Sequence, residues 1–228
     1  FDELRLRPEE PRWQDRDRFI LSKGHVCPIQ YAALAELGYF PKEHLHTLRR
    51  EGSILQGHPD MKKCPGIEIS TGSLGQGLSV GVGMALALQH DGRDARVYVI
   101  VGDGEMDEGQ IWEALMCANK YHLDNLFVIL DNNGLQVDGS AEQIMPHLDL
   151  TRKLDAFGFE TADIDGHDAA QILETFDAMR ANRDGRPKFI NAHTVKGKGV
   201  SYMENAVIWH GMAPDAQQYA QAMAELEG

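Results

Sequence analysis

Two short segments hold residue types that can bind a metal and a phosphate together. The apolar run at 97–101 is followed by Gly102-Asp103-Gly104-Glu105, and the run at 126–130 by Asp131-Asn132-Asn133-Gly134-Leu135. Glycines beside an aspartate let the backbone approach a ligand closely, while a carboxylate and a downstream amide oxygen are hard donors suited to Mg2+ or Ca2+. Mg2+ takes one or two protein oxygens, keeps water and draws its remaining ligands from phosphates, so a diphosphate is the natural third party. Singly, each segment is also an ordinary turn, because Asp-Gly and Asn-Gly are frequent turn dipeptides. At the ends of two strands, they can share one ion.

The surrounding pattern supplies such strands. Both apolar runs are continuous rather than alternating, as expected of strands buried on both faces of a parallel sheet. Between them Ile111, Ala114, Leu115, Ala118 and His122 fall at helical spacing, which makes a βαβ unit. Strands at 157–162 and 189–193 with a helix at 168–181 extend the alternation. The expected fold is α/β: a doubly wound, mostly parallel sheet with helices on both faces and ligands beyond the carboxyl ends of the strands. Upstream, helices are predicted at 28–37 and 41–50, closed by Gly38 and Gly52. A long functional loop is predicted at 56–77, and a helix at 77–90 whose Gly77, Gly81 and Ala85 would let another helix pack closely. Residues 1–18, mixed in charge with Pro8 and Pro11, read as a charged surface segment continuing a part upstream of Phe1, and 19–228 as the domain.

Composition narrows the function. In 228 residues, 43% hydrophobic and 25% charged, a globular domain is expected and disordered or fibrous classes are excluded. Lys plus Arg number 22 against 35 Asp plus Glu, a net charge of −13 that repels a phosphate backbone, so nucleic acid is not an expected partner. The most apolar stretch, 74–88, is too short to cross a bilayer and contains Gln76 and Ser79, so no membrane partner is expected. Three widely spaced cysteines without a CxxC pair point to a reducing, cytoplasmic setting.

GDG, 27 intervening residues and then NN resembles the thiamine-diphosphate fingerprint. Ser22-Lys23-Gly24-His25, Gly57-His58-Pro59, the 71–77 segment Thr-Gly-Ser-Leu-Gly-Gln-Gly and Trp209-His210-Gly211 resemble transketolase, in the same order as in that family. The resemblance spans nearly the whole chain and matches the pyrophosphate-binding domain alone, as in transketolases split into two subunits. It implies thiamine diphosphate and Mg2+ as cofactors, with Ca2+ or Mn2+ as substitutes. Asp103 and Asn133 would be side-chain metal ligands and Leu135 a third through its carbonyl. Asn132 competes with Asn133, which the 30-residue offset from Asp103 favours. The resemblance also places Gly102, Gly104 and Glu105 beside the diphosphate, Gly72 and Leu74 near the aminopyrimidine, and Leu135, Val137 and Val195 along apolar walls, which are equally ordinary core positions. Glu108 and Glu113 resemble acidic residues that link paired cofactor sites. Five residues apart on a helix they project about 140° from each other, so each must pair with another element or be solvated.

His25, His58 and His210 match family positions that surround the sugar and move its hydroxyl protons, His210 also touching the cofactor. An imidazole titrates near neutrality and can both give and take a proton. His44, His46, His90, His122 and His147 read as structural, and the lysines of Lys196-Gly197-Lys198 as phosphate contacts or solvated side chains. The implied reaction moves a two-carbon ketol unit from a ketose phosphate to an aldose phosphate, the cofactor acting as electron sink. The family's tautomerising glutamate and arginine-rich phosphate pocket belong to a pyrimidine-binding domain, here expected on a C-terminal partner subunit in an α2β2 assembly. Two other enzymes carry GDG and NN, deoxyxylulose-phosphate synthase and the α chain of a 2-oxo-acid dehydrogenase, but the three histidines favour the sugar enzyme. A non-catalytic module retaining the fold would be expected to lose Asp103 or Asn133.

Overall fold

The computed structural model describes residues 2–227. In chain order it runs through β1 (Arg18–Leu21), α1 (Cys27–Glu36), α2 (Gln76–His90), β2 (Val97–Gly102), α3 (Gly109–Lys120) and β3 (Leu126–Asn132). A small hairpin of β4 (Leu135–Gln136) and β5 (Gly139–Ser140) follows, then α4 (Ala141–Ile144), α5 (Leu150–Ala156), β6 (Glu160–Asp165), α6 (Ala169–Ala181), β7 (Lys188–His193) and α7 (Ala216–Glu227). Five strands form one parallel sheet in the order β1-β2-β3-β7-β6.

Period-2 alternation divides the core. Val97, Val99 and Val101 of β2 face a cluster with Val82 and Ala85 of α2, Ile111 and Leu115 of α3, and Leu154 of α5. Tyr98 points to the other face, where Phe127, Ile190 and Met179 of α6 surround it. Helices therefore cover both faces of the sheet, and a separate cluster joins α1 to the 39–67 region. Among the described residues no helix is long and apolar enough to cross a membrane.

Several elements differ from the sequence prediction. The small residues of α2 serve the sheet rather than a helix: a Cβ on Gly81 would lie 2.6 Å from Val99 Cγ2, and one on Gly77 2.8 Å from Ser22 Cα. The predicted helix at 41–50 is a 3₁₀ stretch, Lys42–Thr47, after which Arg49 enters the left-handed region (φ 60°) so that its N–H reaches Leu55 O at 2.9 Å. The strand predicted from 157 begins at Glu160, because Gly158 (φ 86°) closes α5 and Phe159 N donates back to Leu154 O. That helix was unannounced by periodicity, but Asp149 caps it, accepting from Arg152 N at 2.9 Å. Residues 2–17 are not merely a surface segment. Asp17 is 1% exposed and accepts from the backbone N–H groups of Arg5 and Arg96, each at 2.8 Å, while Leu4 packs on the Tyr98 cluster. The charged segment is thereby stapled to the start of β2.

Candidate active site

Strand register sets Gly102 beside Asp131 and Asn132 beside His193, so the segments after β2, β3 and β7 converge beyond the carboxyl edge of the sheet. They enclose a cavity of about 480 Å3. Close approach explains two of its glycines. A Cβ on Gly102 would sit 3.1 Å from Lys23 Cδ, and one on Gly104 3.2 Å from Gln136 Cγ.

Three acids at this edge, Asp103 and Glu105 buried and Asp131 half-buried, have different surroundings. Asp103 is 4% exposed, and its Oδ1 accepts from Gly104 N at 2.8 Å, while Oδ2 is buried with no hydrogen-bond partner. Burial pushes its carboxyl pKa up, and the backbone N–H groups of Gly104 and Gly134 offset only part of that. An ionised carboxylate so placed is costly unless a cation completes it. Asp131 is completed already, since the Lys23 ammonium and the Thr194 hydroxyl both donate to it. Burial opposes its charge too, but Lys23 and the hydrogen bonds from Lys23, Thr194 and Asn133 hold it below the usual carboxylate range. Glu105 accepts from Ser22 Oγ at 2.5 Å, Gly75 N at 2.9 Å and Gly102 N at 3.2 Å, so its carboxylate ties β1, the start of α2 and the end of β2 together.

His25 and His210 stack at the cavity wall with ring centroids 5.2 Å apart and planes 28° from parallel. Burial, reinforced by the positive charge of His210, Lys23, Lys196 and His58, pushes His25 down to about 4. Burial and Lys196 push His210 down as well. His25 is therefore neutral at ordinary pH and able to accept a proton, and His210 Nδ1 is buried with no partner. Lys196 is half-buried on the same cavity. Its pKa is lowered by burial and by the neighbouring Lys23 charge, so an anion placed between them would be stabilised.

Of the residues singled out in the sequence, Leu74, Asn133, Leu135, Val137 and Val195 line the cavity together with Gly102, Asp103, Gly104, Glu105 and the two stacked histidines. The asparagines separate as alternation demands. Asn132 turns to β7, donating to Asn191 Oδ1 at 3.0 Å, while Asn133 faces the cavity and accepts from Leu135 N at 3.1 Å. His58 lies outside the lining, exposed and packed against Gly72, where a Cβ would come within 2.7 Å of its ring. Glu108 and Glu113 are exposed and also outside it. Sequence reasoning missed Lys23, Asp131, Thr194 and His167 as lining residues. The first three sit directly at strand ends and could have been found by reading every polar residue there. His167 follows β6 and accepts from Val195 N at 2.8 Å, a tertiary meeting with no sequence signal.

The sequence profile of the family described as transketolase, thiamine diphosphate binding domain, matches residues 1–227. The chain belongs to this transketolase family. It is 44% identical to an apulose-4-phosphate transketolase subunit of Phocaeicola vulgatus over 226 residues, covering 99% of this chain and 80% of the relative. It is 47% identical to a 6-deoxy-6-sulfo-D-fructose transketolase subunit of a Clostridium species over 225 residues, covering 98% and 81%. The solved transketolase from Pichia stipitis in complex with fructose-6-phosphate superposes with a TM-score of 0.94 at 31% identity, covering 99% of this chain and 35% of that one. The chain thus spans about a third of the length of that transketolase. Its cavity carries the donor types that a metal-bound diphosphate needs. Among the described residues no group of three or more His, Cys, Asp or Glu could hold a metal. An ion here would take the unpartnered Asp103 Oδ2, the Asn133 amide oxygen and a backbone carbonyl, and complete its shell from phosphate and water. That donor set is the one Mg2+ accepts.

Proposed function

We propose that this transketolase chain is the thiamine-diphosphate subunit of a two-chain enzyme that moves a two-carbon ketol unit from a ketose phosphate to an aldose phosphate. Asp103 and Asn133, with the Leu135 carbonyl, hold Mg2+ against the diphosphate. The observation that carries this reading is the buried Asp103 Oδ2 left without a donor. Lys196 and Lys23 add positive charge to the same cavity in a chain whose net charge is −13. Leu135, Val137 and Val195 give it an apolar wall. When bound, thiamine diphosphate supplies the electron sink for carbon–carbon cleavage. The chain supplies proton handling: neutral His25 accepts a hydroxyl proton from the sugar, and the His210 ring stacked on it fixes its orientation. His58 borders the sugar from the adjoining loop.

A partner subunit carrying the pyrimidine-binding domain completes the site in an α2β2 assembly. Two similar relatives are named as subunits, which supports a partner, and Val137, 64% exposed in the cavity lining, gives it an apolar edge there. Glu108 and Glu113 face that assembly. The relatives' names cover a phosphorylated and a sulfonated sugar, so the substrate class is a sugar ending in a dense anion. The unpaired Cys27, Cys64 and Cys117 support a reducing, cytoplasmic setting. The test is reconstitution: the chain and its candidate partner are purified separately and together, and ketol transfer is measured with thiamine diphosphate and Mg2+. Turnover is expected only from the mixture; robust turnover by this chain alone ends the two-chain reading.

A further inference from the structure

The hairpin that carries Leu135 has little to hold it. β4 and β5 are two residues each, and an isolated two-stranded ribbon is marginal in water. Its turn exposes Val137, and the segment beyond it exposes Met145 and Leu148 rather than burying them. Two of its polar ties converge on one residue. Asp107 ends the 3₁₀ turn Gly104–Asp107 that begins beside Asp103. Its Oδ2 accepts from Gln136 Nε2 at 3.1 Å, and its Oδ1 accepts from His147 Nε2 at 2.6 Å. Gln136 is the neighbour of Leu135, and its Cγ fills the space where a Gly104 Cβ would stand. His147 is itself held from behind, its carbonyl accepting from Lys153 Nζ of α5 at 2.5 Å. Only 11% of the His147 side chain and 24% of the Asp107 side chain are exposed, so the side chains are partly sheltered although Asp107 itself lies at the surface.

We propose that Asp107 is a positioning residue: by accepting from Gln136 and His147 at once, it clamps the segment carrying Leu135 and Val137 to the turn that carries Asp103. The clamp slows the loss of metal and cofactor. His147, which sequence context marks only as structural, is the second half of the device. This inference rests on the thiamine-diphosphate reading above.

Two measurements on the assembled enzyme test it. The first is the rate at which thiamine diphosphate leaves after Mg2+ is stripped with EDTA, and the second is amide hydrogen exchange of residues 134–149 without cofactor. Asp107→Ala is expected to speed release at least about tenfold, as for loss of a hydrogen-bonded charged acceptor, and to raise exchange across the segment. His147→Ala should reproduce most of this. His147→Gln should restore wild-type behaviour, because a glutamine Nε2–H can donate where the imidazole does. The double variant Asp107→Ala/His147→Ala should be no worse than Asp107→Ala, since both act through one contact. Release and exchange within twofold of wild type in Asp107→Ala, or His147→Gln behaving like His147→Ala, overturns the clamp alone. A wild-type enzyme that does not retain thiamine diphosphate with Mg2+ overturns the cofactor reading and the clamp with it.

Discussion

The ends of β2 and β3 lie in register, and each delivers an aspartate into the same buried edge, but the two are finished differently. Asp131 has its cation and its hydroxyl donor from within the chain, Lys23 and Thr194. Asp103 keeps one oxygen with no partner at all. Pairing distinguishes the two aspartates more sharply than residue type does, and the open oxygen is the one the proposed metal would take. Both are aspartates beside glycine or asparagine; only the pairing tells them apart.

The largest effect should come from the finished end. Asp131→Asn leaves the Lys23 ammonium, a residue 7% exposed, without its counter-charge, and should cost about 3 kcal/mol of cofactor-free stability by denaturant unfolding. Asp103→Asn should not lower that stability, since it removes a carboxylate that burial already disfavours. Equal destabilisation by the two substitutions would erase the distinction between the strand ends.

Next in size is the effect on turnover. His25→Ala and His210→Ala should each slow ketol transfer by about 10²-fold with little change in cofactor affinity. His58→Ala, whose ring lies outside the cavity lining, should act less. If the His58 variant is the slowest of the three, the proton transfers run on the loop side and not at the stacked pair. Asp103→Asn should then weaken joint binding of Mg2+ and thiamine diphosphate at least about tenfold, by analogy with lost metal-site contacts. Calorimetry with and without EDTA reads this, and equal affinity in both removes the metal assignment.

A further effect is on acid stability. His25 sits at about 4 when folded against an ordinary value of 6.5, so between those pH values the unfolded chain binds more protons than the folded one. Stability should therefore fall as pH drops from 6.5 toward 4, with no contribution from this residue above 6.5. His25→Phe should flatten that slope in thermal melts across the window. An unchanged slope would mean that the ring is not desolvated in the folded state.

That Asp103, Asn133 and Leu135 would meet at one cavity is legible in the sequence because they follow apolar runs closely, and a strand that must be buried on both faces announces where it ends. The same logic marks β2, β3, α3 and α6, whose burial follows from local pattern. It fails for β1, whose four residues are too short a pattern, and for α5, whose signal is one capping aspartate rather than a periodicity. It fails at Gly77 and Gly81 because small residues announce close packing without naming the partner, and the partner is the sheet. It also misjudges residues 2–17, since charges usually mean solvent, yet Asp17 is buried by two backbone N–H groups that no spacing foretells.

Short-range pattern carries the parallel α/β scaffold and the family, and it points to the residues proposed for metal and proton chemistry. Tertiary structure alone decided which of them are free to act. Whether an aspartate is satisfied by Lys23 or left open, whether two histidines 185 positions apart stack, and whether Asp107 meets His147 all depend on distances between elements remote in the chain. Hydrogen-bond energies fall away within a few ångströms and charge interactions over about 10 Å, so only the packed fold can set them.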